Sequence, residues 1–251
     1  MKVFIPALFA FLGSILGSFA NVCIWRLPRG ESVVWRPSHC PQCDGKLKPW
    51  HLVPVFSWLF LRGKCAMCSG PISIRYPLVE LSTAVLFAII GYCWGISVQT
   101  AVYCILTLAL IIAVGTDFSH REIPDQVSLG ASAVLAVIAL VTLNRPALLG
   151  GLILFVILLL IAAASRGGMG GGDIKLSMAI GLALGWKLGL VALAAGFLTG
   201  GVLAIVLINR GERGKMLPFG PFLALGAWIA MFWGEWIIGL YWNFSLLLWR
   251  W

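Results

Sequence analysis

From residue 77 to its end this chain is apolar almost without interruption, and that feature decides what it can fold into. The runs break only at about 95–100, 117–126, 144–146, 165–175, 185–187 and 209–220, and another run occupies about 3–24. Hydrocarbon offers backbone N–H and C=O groups no partner, so segments of this kind must pair within helices or around a closed barrel. Runs rich in Leu, Ile, Ala and Gly, with no short alternating strands among them, select helices. Composition agrees, since 61% hydrophobic and 11% charged residues, with a mean hydropathy of +0.99, exceed the range of soluble domains. The expected fold is an all-α polytopic membrane protein of about eight transmembrane helices with a small cytoplasmic loop module.

Three regions follow: a first transmembrane helix over 1–24, a polar, proline-punctuated module over 25–76, and a multi-helix membrane domain over 77–251. The first run is too long for a signal-peptide core and reads as a retained span. Two later spans are weak: the stretch after Asp173 is short for a crossing, and the last segment has length for a span plus an interfacial tail. Trp233, Trp236, Trp242 and Trp249 suit the aromatic belt of the interface. Eight spans place fourteen Lys and Arg on one face and four (Lys2, Arg145, Lys187 and Arg250) on the other. The first face is therefore expected in the cytoplasm, with both termini outside. This spread of basic residues through short loops accounts for the net charge of +9 without nucleic acid as a partner; the lipid bilayer is the partner expected.

Only nine acidic residues occur, and an ionisable group at membrane depth is costly. Asp117 follows directly on an apolar run, and Asp173 follows Gly170, Gly171 and Gly172 at the start of another. If the two meet in a partly dry site they share a proton, so that one can activate water while the other polarises a peptide carbonyl. The three glycines leave room for a substrate backbone beside Asp173. The structural alternative is that each is a helix cap or a solvated loop residue. Asp125 fits a cap opening the next helix, Glu80 and Glu235 fit buried polar contacts, and Glu122 and Glu212 fit solvated positions.

Four of the seven cysteines form two CxxC pairs, Cys40 with Cys43 and Cys65 with Cys68, separated by 21 residues. That spacing is one residue beyond the usual window of zinc ribbons. Each CxxC brings two thiolates together from one turn, and four soft ligands suit a closed structural zinc site. Such a site would organise a segment with too little apolar mass for a core of its own. Disulfides are the rival, disfavoured by the expected cytoplasmic side. His39 and His51 are nearby substitutes as ligands, and Cys23, Cys93 and Cys104 read as small core residues.

Taken in order, the motifs resemble the type IV prepilin peptidases, prepilin leader peptidase and N-methyltransferases of the GxGD aspartic membrane class. The resemblance rests on Gly17-Ser18-Phe19-Ala20-Asn21-Val22 leading into Arg26-Leu27-Pro28, on Ser38-His39-Cys40-Pro41 with the four cysteines, and on Arg75-Tyr76-Pro77-Leu78-Val79-Glu80. Asp117 followed by Ile123-Pro124-Asp125, the GxGD run from Gly170 to Asp173 with Lys175, and Pro218-Phe219-Gly220-Pro221 complete it. The resemblance implies catalysis by Asp117 and Asp173, with Gly170 to Gly172, Lys175 and Asp125 supporting the catalytic loop. It further implies cleavage of prepilins or pseudopilins after a glycine at the cytoplasmic face of a bacterial inner membrane, in the service of pilus or type II secretion assembly. Methylation of the new amino terminus with S-adenosylmethionine is implied by resemblance alone, because no cofactor fingerprint is recognisable. From the residues without the resemblance, a transporter that uses boundary carboxylates and a noncatalytic assembly scaffold stay open.

Overall fold

The computed structural model describes residues 3–35, 37–165, 168–211 and 217–248, with side chains as far as residue 243. Lys2, Gly167, Glu212, Trp249 and Arg250 lie outside the described residues, as do several of the loop cations counted above. Among the described residues the regular structure is helical, apart from two isolated bridges. The helices are α1 (Phe4–Arg26), α2 (Phe56–Phe60), α3 (Arg75–Trp94), α4 (Val98–His120), α5 (Asp125–Val141), α6 (Arg145–Ala164), α7 (Gly171–Asn209) and α8 (Gly220–Leu248). They form two compact units, Met1–Thr116 and Asp117–Trp251, with the boundary falling inside α4.

In the first unit α1 and α3 run antiparallel and touch through small residues. A Cβ on Gly13 would lie 2.7 Å from the carbonyl of Thr83, and one on Gly17 would lie 2.8 Å from the Cα of Glu80. Without a hydrophobic driving force between helices in lipid, close backbone approach of this kind supplies the packing. Asn21 continues the same face one turn further and donates its amide to the carbonyl of Tyr76 at 3.0 Å. Glu80 is buried, and its Oε2 accepts the N–H of Val55 at 2.7 Å. Val55 sits at φ 64°, a conformation that β-branched residues rarely adopt, so that hydrogen bond helps hold a strained turn.

In the second unit α7 is the central element, packed by α5, α6 and α8. It turns sharply at Gly185, whose φ of 74° only glycine adopts without strain. Ser177 and Gly189, on either side of that turn, both lie against Leu154 of α6. A straight helix would separate residues twelve apart by about 18 Å, so the two arms of α7 fold back on each other. The short arm crosses α6 where Gly150 and Gly181 meet backbone to backbone, and the long arm meets α8 where Gly226 lies on Ala192 and Gly196. Asn144 opens α6 by accepting the N–H of Ala147 at 3.1 Å.

The apolar runs thus reappear as helical segments, and six helices among those described are long and apolar enough to cross a bilayer. The helix α5, with 17 residues, falls short of that length, and α7 holds two helical segments joined at the turn at Gly185. Trp233, Trp236 and Trp242 are exposed, as an interfacial belt requires. Glu235 is exposed and not buried, unlike Glu80, because it lies on the outer face of α8. Cys23 and Cys104 are buried and Cys93 is exposed.

Candidate active site and cysteine module

Four chain segments meet at one end of the second unit: the end of α4 and the starts of α5, α7 and α8. Asp117 arrives on the last turn of α4 and Asp173 on the first turn of α7, and both are buried, at 6% and 8% exposed. They are close enough to interact electrostatically. Asp117 Oδ2 accepts the N–H of Gly220, the first residue of α8, at 2.9 Å. Helix starts present such unpaired N–H groups and favour negative charge. Asp173 Oδ1 is buried without any hydrogen-bond partner. A buried acceptor left bare is expensive unless a water or a substrate meets it.

Ile123 is the spacer of this site. Its Cβ fills the position that a side chain on Gly172 would take, 2.8 Å away, and its Cδ1 lies 3.2 Å from where a Cβ on Gly220 would sit. Gly172 is therefore required by packing. A Cβ on Gly170 would lie 3.3 Å from Asp173 Oδ2, whereas one on Gly171 would meet open space. None of the three has a positive φ, so room beside Asp173 and not left-handed backbone accounts for the run.

Lys175, one turn into α7, reaches both oxygens of Asp125 at 2.7 and 2.8 Å. Asp125 is not the cap expected of it: Pro124 holds that position, with no side-chain cap bond, and the Asp125 carboxylate turns to Lys175 instead. The ion pair ties the starts of α5 and α7 together on the exposed rim of the site.

In the first unit the two CxxC pairs form matching knuckles. In one, Cys40 N–H donates to Gly45 and Asp44 N–H to Cys40; in the other, Cys65 N–H donates to Gly70 and Ser69 N–H to Cys65. Asp44 and Ser69 hold equivalent left-handed positions, at φ 55° and 59°. Gln42 lies over Gly70 and Met67 over Gly45, so each knuckle closes on the other. All four Sγ atoms lie within 4.8 Å of one another, with Cys40 and Cys68 at 3.9 Å. Tetrahedral zinc with Zn–S near 2.3 Å needs sulfurs about 3.8 Å apart, so the arrangement fits. Backbone N–H groups of Cys68 and Met67 lower the Cys65 thiol to about 7, favouring the thiolate that a metal takes. All seven cysteines are free thiols, and neither His39 nor His51 joins the sulfur cluster.

Sequence reasoning missed the Gly220 N–H, the spacer role of Ile123 and the pairing of the knuckles. A backbone donor leaves no mark in residue type, and the knuckles share only their cysteines and glycines.

A family model described as bacterial peptidase A24 N-terminal domain matches residues 11–94, and one described as type IV leader peptidase family matches residues 104–205. A prepilin leader peptidase/N-methyltransferase of Bacillus subtilis is 38% identical to this chain, covering 93% of it and 96% of that protein. The protein of the same name from Xanthomonas campestris pv. campestris is 36% identical, covering 94% of each chain. That from Stutzerimonas stutzeri is 32% identical, covering 94% of this chain and 93% of its own. No solved structure matches.

Proposed function

This chain belongs to the type IV leader peptidase family, and from that premise we propose that Asp117 and Asp173 cut the basic leader from a prepilin or pseudopilin after a glycine. The observation that carries the reading is a pair of buried, interacting carboxylates at the ends of two helices, one of which keeps an oxygen without a protein partner. Two charges so close in a poorly solvated place hold one proton between them. The ionised member draws a proton from water as the water attacks the scissile carbonyl, and the protonated member donates to the carbonyl oxygen. Their roles then exchange as the leaving amine is protonated. The Gly220 N–H fixes the Asp117 rotamer, and the unpartnered Asp173 Oδ1 offers a hydrogen bond to water or to the substrate.

Helix ends are where this chemistry is needed, because a basic leader stays in water while the apolar helix behind its glycine stays in lipid. The fourteen-to-four distribution of Lys and Arg supports an inner-membrane protein with 25–76 and both aspartates facing the cytoplasm and both termini outside. Its products would serve assembly of a pilus or of a type II secretion pseudopilus. Cys40, Cys43, Cys65 and Cys68 would hold a structural zinc ion, which supplies cross-linking of the two knuckles and, with four sulfur ligands, no open position for catalysis. The relatives' names support a second activity in this chain, methylation of the new amino terminus with S-adenosylmethionine.

The test is mass spectrometry of a prepilin incubated with the purified protein in detergent. A product beginning after the leader glycine is expected, together with its disappearance in Asp117→Asn and Asp173→Asn. Full cleavage by both variants would remove the aspartates from the mechanism.

A further inference from the structure

The segment that links the two cysteine knuckles carries an exposed apolar face. In α2, Phe56, Leu59 and Phe60 stand at i, i+3 and i+4, one side of a single turn, and all three are exposed, Phe60 at 83%. Trp58 takes the opposite side: its Nε1–H donates to the Ile72 carbonyl at 3.1 Å, and its ring lies against Gly63. The turn Pro49–Leu52 packs beside α2 and adds exposed Trp50 and Leu52, with the Lys48 ammonium 5.2 Å from the centre of the Trp50 ring. Arg62 and Lys64 follow α2 directly, both exposed and neither in an ion pair among the described residues. Surfaces that face bulk water seldom gather so many large apolar side chains in one place.

What covers this face follows from where α2 is held. Val55, which precedes it, donates its N–H to Glu80 Oε2 at 2.7 Å, and Glu80 lies five residues into α3, about 7 Å of helical rise. Ile72, the acceptor for Trp58, lies three residues before that helix begins. Since α3 is long and apolar enough to cross a bilayer, α2 straddles the level at which α3 leaves the hydrocarbon, and its outward side meets headgroups. That layer takes up aromatic rings with a polar edge and apolar side chains flanked by cations. We propose that α2 and the Pro49–Leu52 turn lie in the headgroup layer of an anionic bilayer. Trp50, Phe56, Leu59 and Phe60 then reach the acyl boundary, while Lys48, Arg62 and Lys64 meet the negative headgroups. The linker between the knuckles becomes an interfacial anchor, a third attachment of the cysteine module to the membrane beside α1 and α3. An apolar segment of a pilin would suit the same side chains, but the basic leader in front of it would be repelled by Arg62 and Lys64.

Photolabelling of the full-length protein in vesicles tests the anchor. The probe is a phosphatidylcholine with a carbene-generating diazirine high on one acyl chain, in vesicles of phosphatidylcholine with or without phosphatidylglycerol, and adducts are located by mass spectrometry. Adducts on α3 serve as the internal standard, because that helix meets lipid in either vesicle. Label is expected on 50–60, rising about threefold or more when phosphatidylglycerol is present. Phe56→Ser combined with Phe60→Ser should lower that label about fivefold relative to α3, and Arg62→Gln combined with Lys64→Gln should remove the gain from the anionic lipid. All four positions are exposed, so the bonds that hold Val55 and Trp58 stay in place. Strong label on α3 with none on 50–60 in either vesicle overturns the anchor, and so does equal label with and without phosphatidylglycerol. Label that survives the two Phe→Ser changes undiminished also overturns it. A prepilin that cross-links to 50–60 where lipid does not would give the face to the substrate and overturn the anchor equally.

Discussion

Asp117 and Asp173 differ in what holds them, and that difference governs how single substitutions should act. Either Asn substitution removes a proton-transfer group, so kcat should fall by about 10²–10⁴-fold, with KM much less changed, in a prepilin cleavage assay. Gly220→Ala puts a Cβ 2.8 Å from Asp117 Oδ2 and 3.2 Å from Ile123, so the carboxylate must move. Misplacement of this size should cost about 10–100-fold in kcat. Gly171→Ala meets open space and should stay within about twofold of the unaltered protein, on the same assay. Equal losses at Gly171 and Gly220 would mean that the glycines act through backbone freedom instead. The two aspartates were legible because carboxylates stand out at the ends of apolar runs. Gly220 was visible as a residue but not as a donor, since its contribution is a backbone N–H that any residue possesses. Asp125 looked like a cap from its place after Pro124; what drew it away was Lys175, fifty positions along the chain and invisible to local reasoning.

At the scale of elements, close packing in lipid rests on places where two backbones touch. Gly181→Ala drives a Cβ into the Gly150 carbonyl, and no flexible side chain is there to yield. Thermal unfolding in detergent should show a loss of about 1–3 kcal/mol, whereas Gly239→Ala, with nothing within 4 Å, should change stability by less than about 0.5 kcal/mol. The knuckles depend on a different bond. Chelation, or replacement of Cys40 and Cys65 by Ser, should remove about one zinc per chain and unfold the knuckles. The large helical circular-dichroism signal should persist, because the long helices do not draw on those thiols. Metal analysis and the spectrum together check it. The CxxC spacing announced this element clearly. The mutual closure of Gln42 over Gly70 and Met67 over Gly45 was hidden, because an amide and a thioether in equivalent places do not look like a repeat.

For the whole molecule the open quantity is how often the chain crosses the bilayer, and the aspartates themselves decide it. Asp117 precedes the α5–α6 pair and Asp173 follows it, yet the two interact and share Ile123 as a neighbour through Gly172 and Gly220. The pair of helices must therefore bring the chain back to the face it left, so α5 and α6 either both cross or both do not. With 20 residues and an apolar window, α6 is long enough to cross. We infer that α5 crosses with it despite its 17 residues, tilting less than a longer helix would. The fold-back at Gly185 adds a second return, placing residue 209 on the face of Asp173. A chain that crossed only at its six long helices would put the aspartates on opposite faces. Reporter fusions separate the two arrangements. Alkaline phosphatase joined after Asn144 or after Trp186 should be active outside the membrane, and a fluorescent protein joined after Arg121 or after Arg210 should mature inside. Phosphatase silent at Asn144 would leave α5 short of a crossing and break the link between this topology and the aspartate pair.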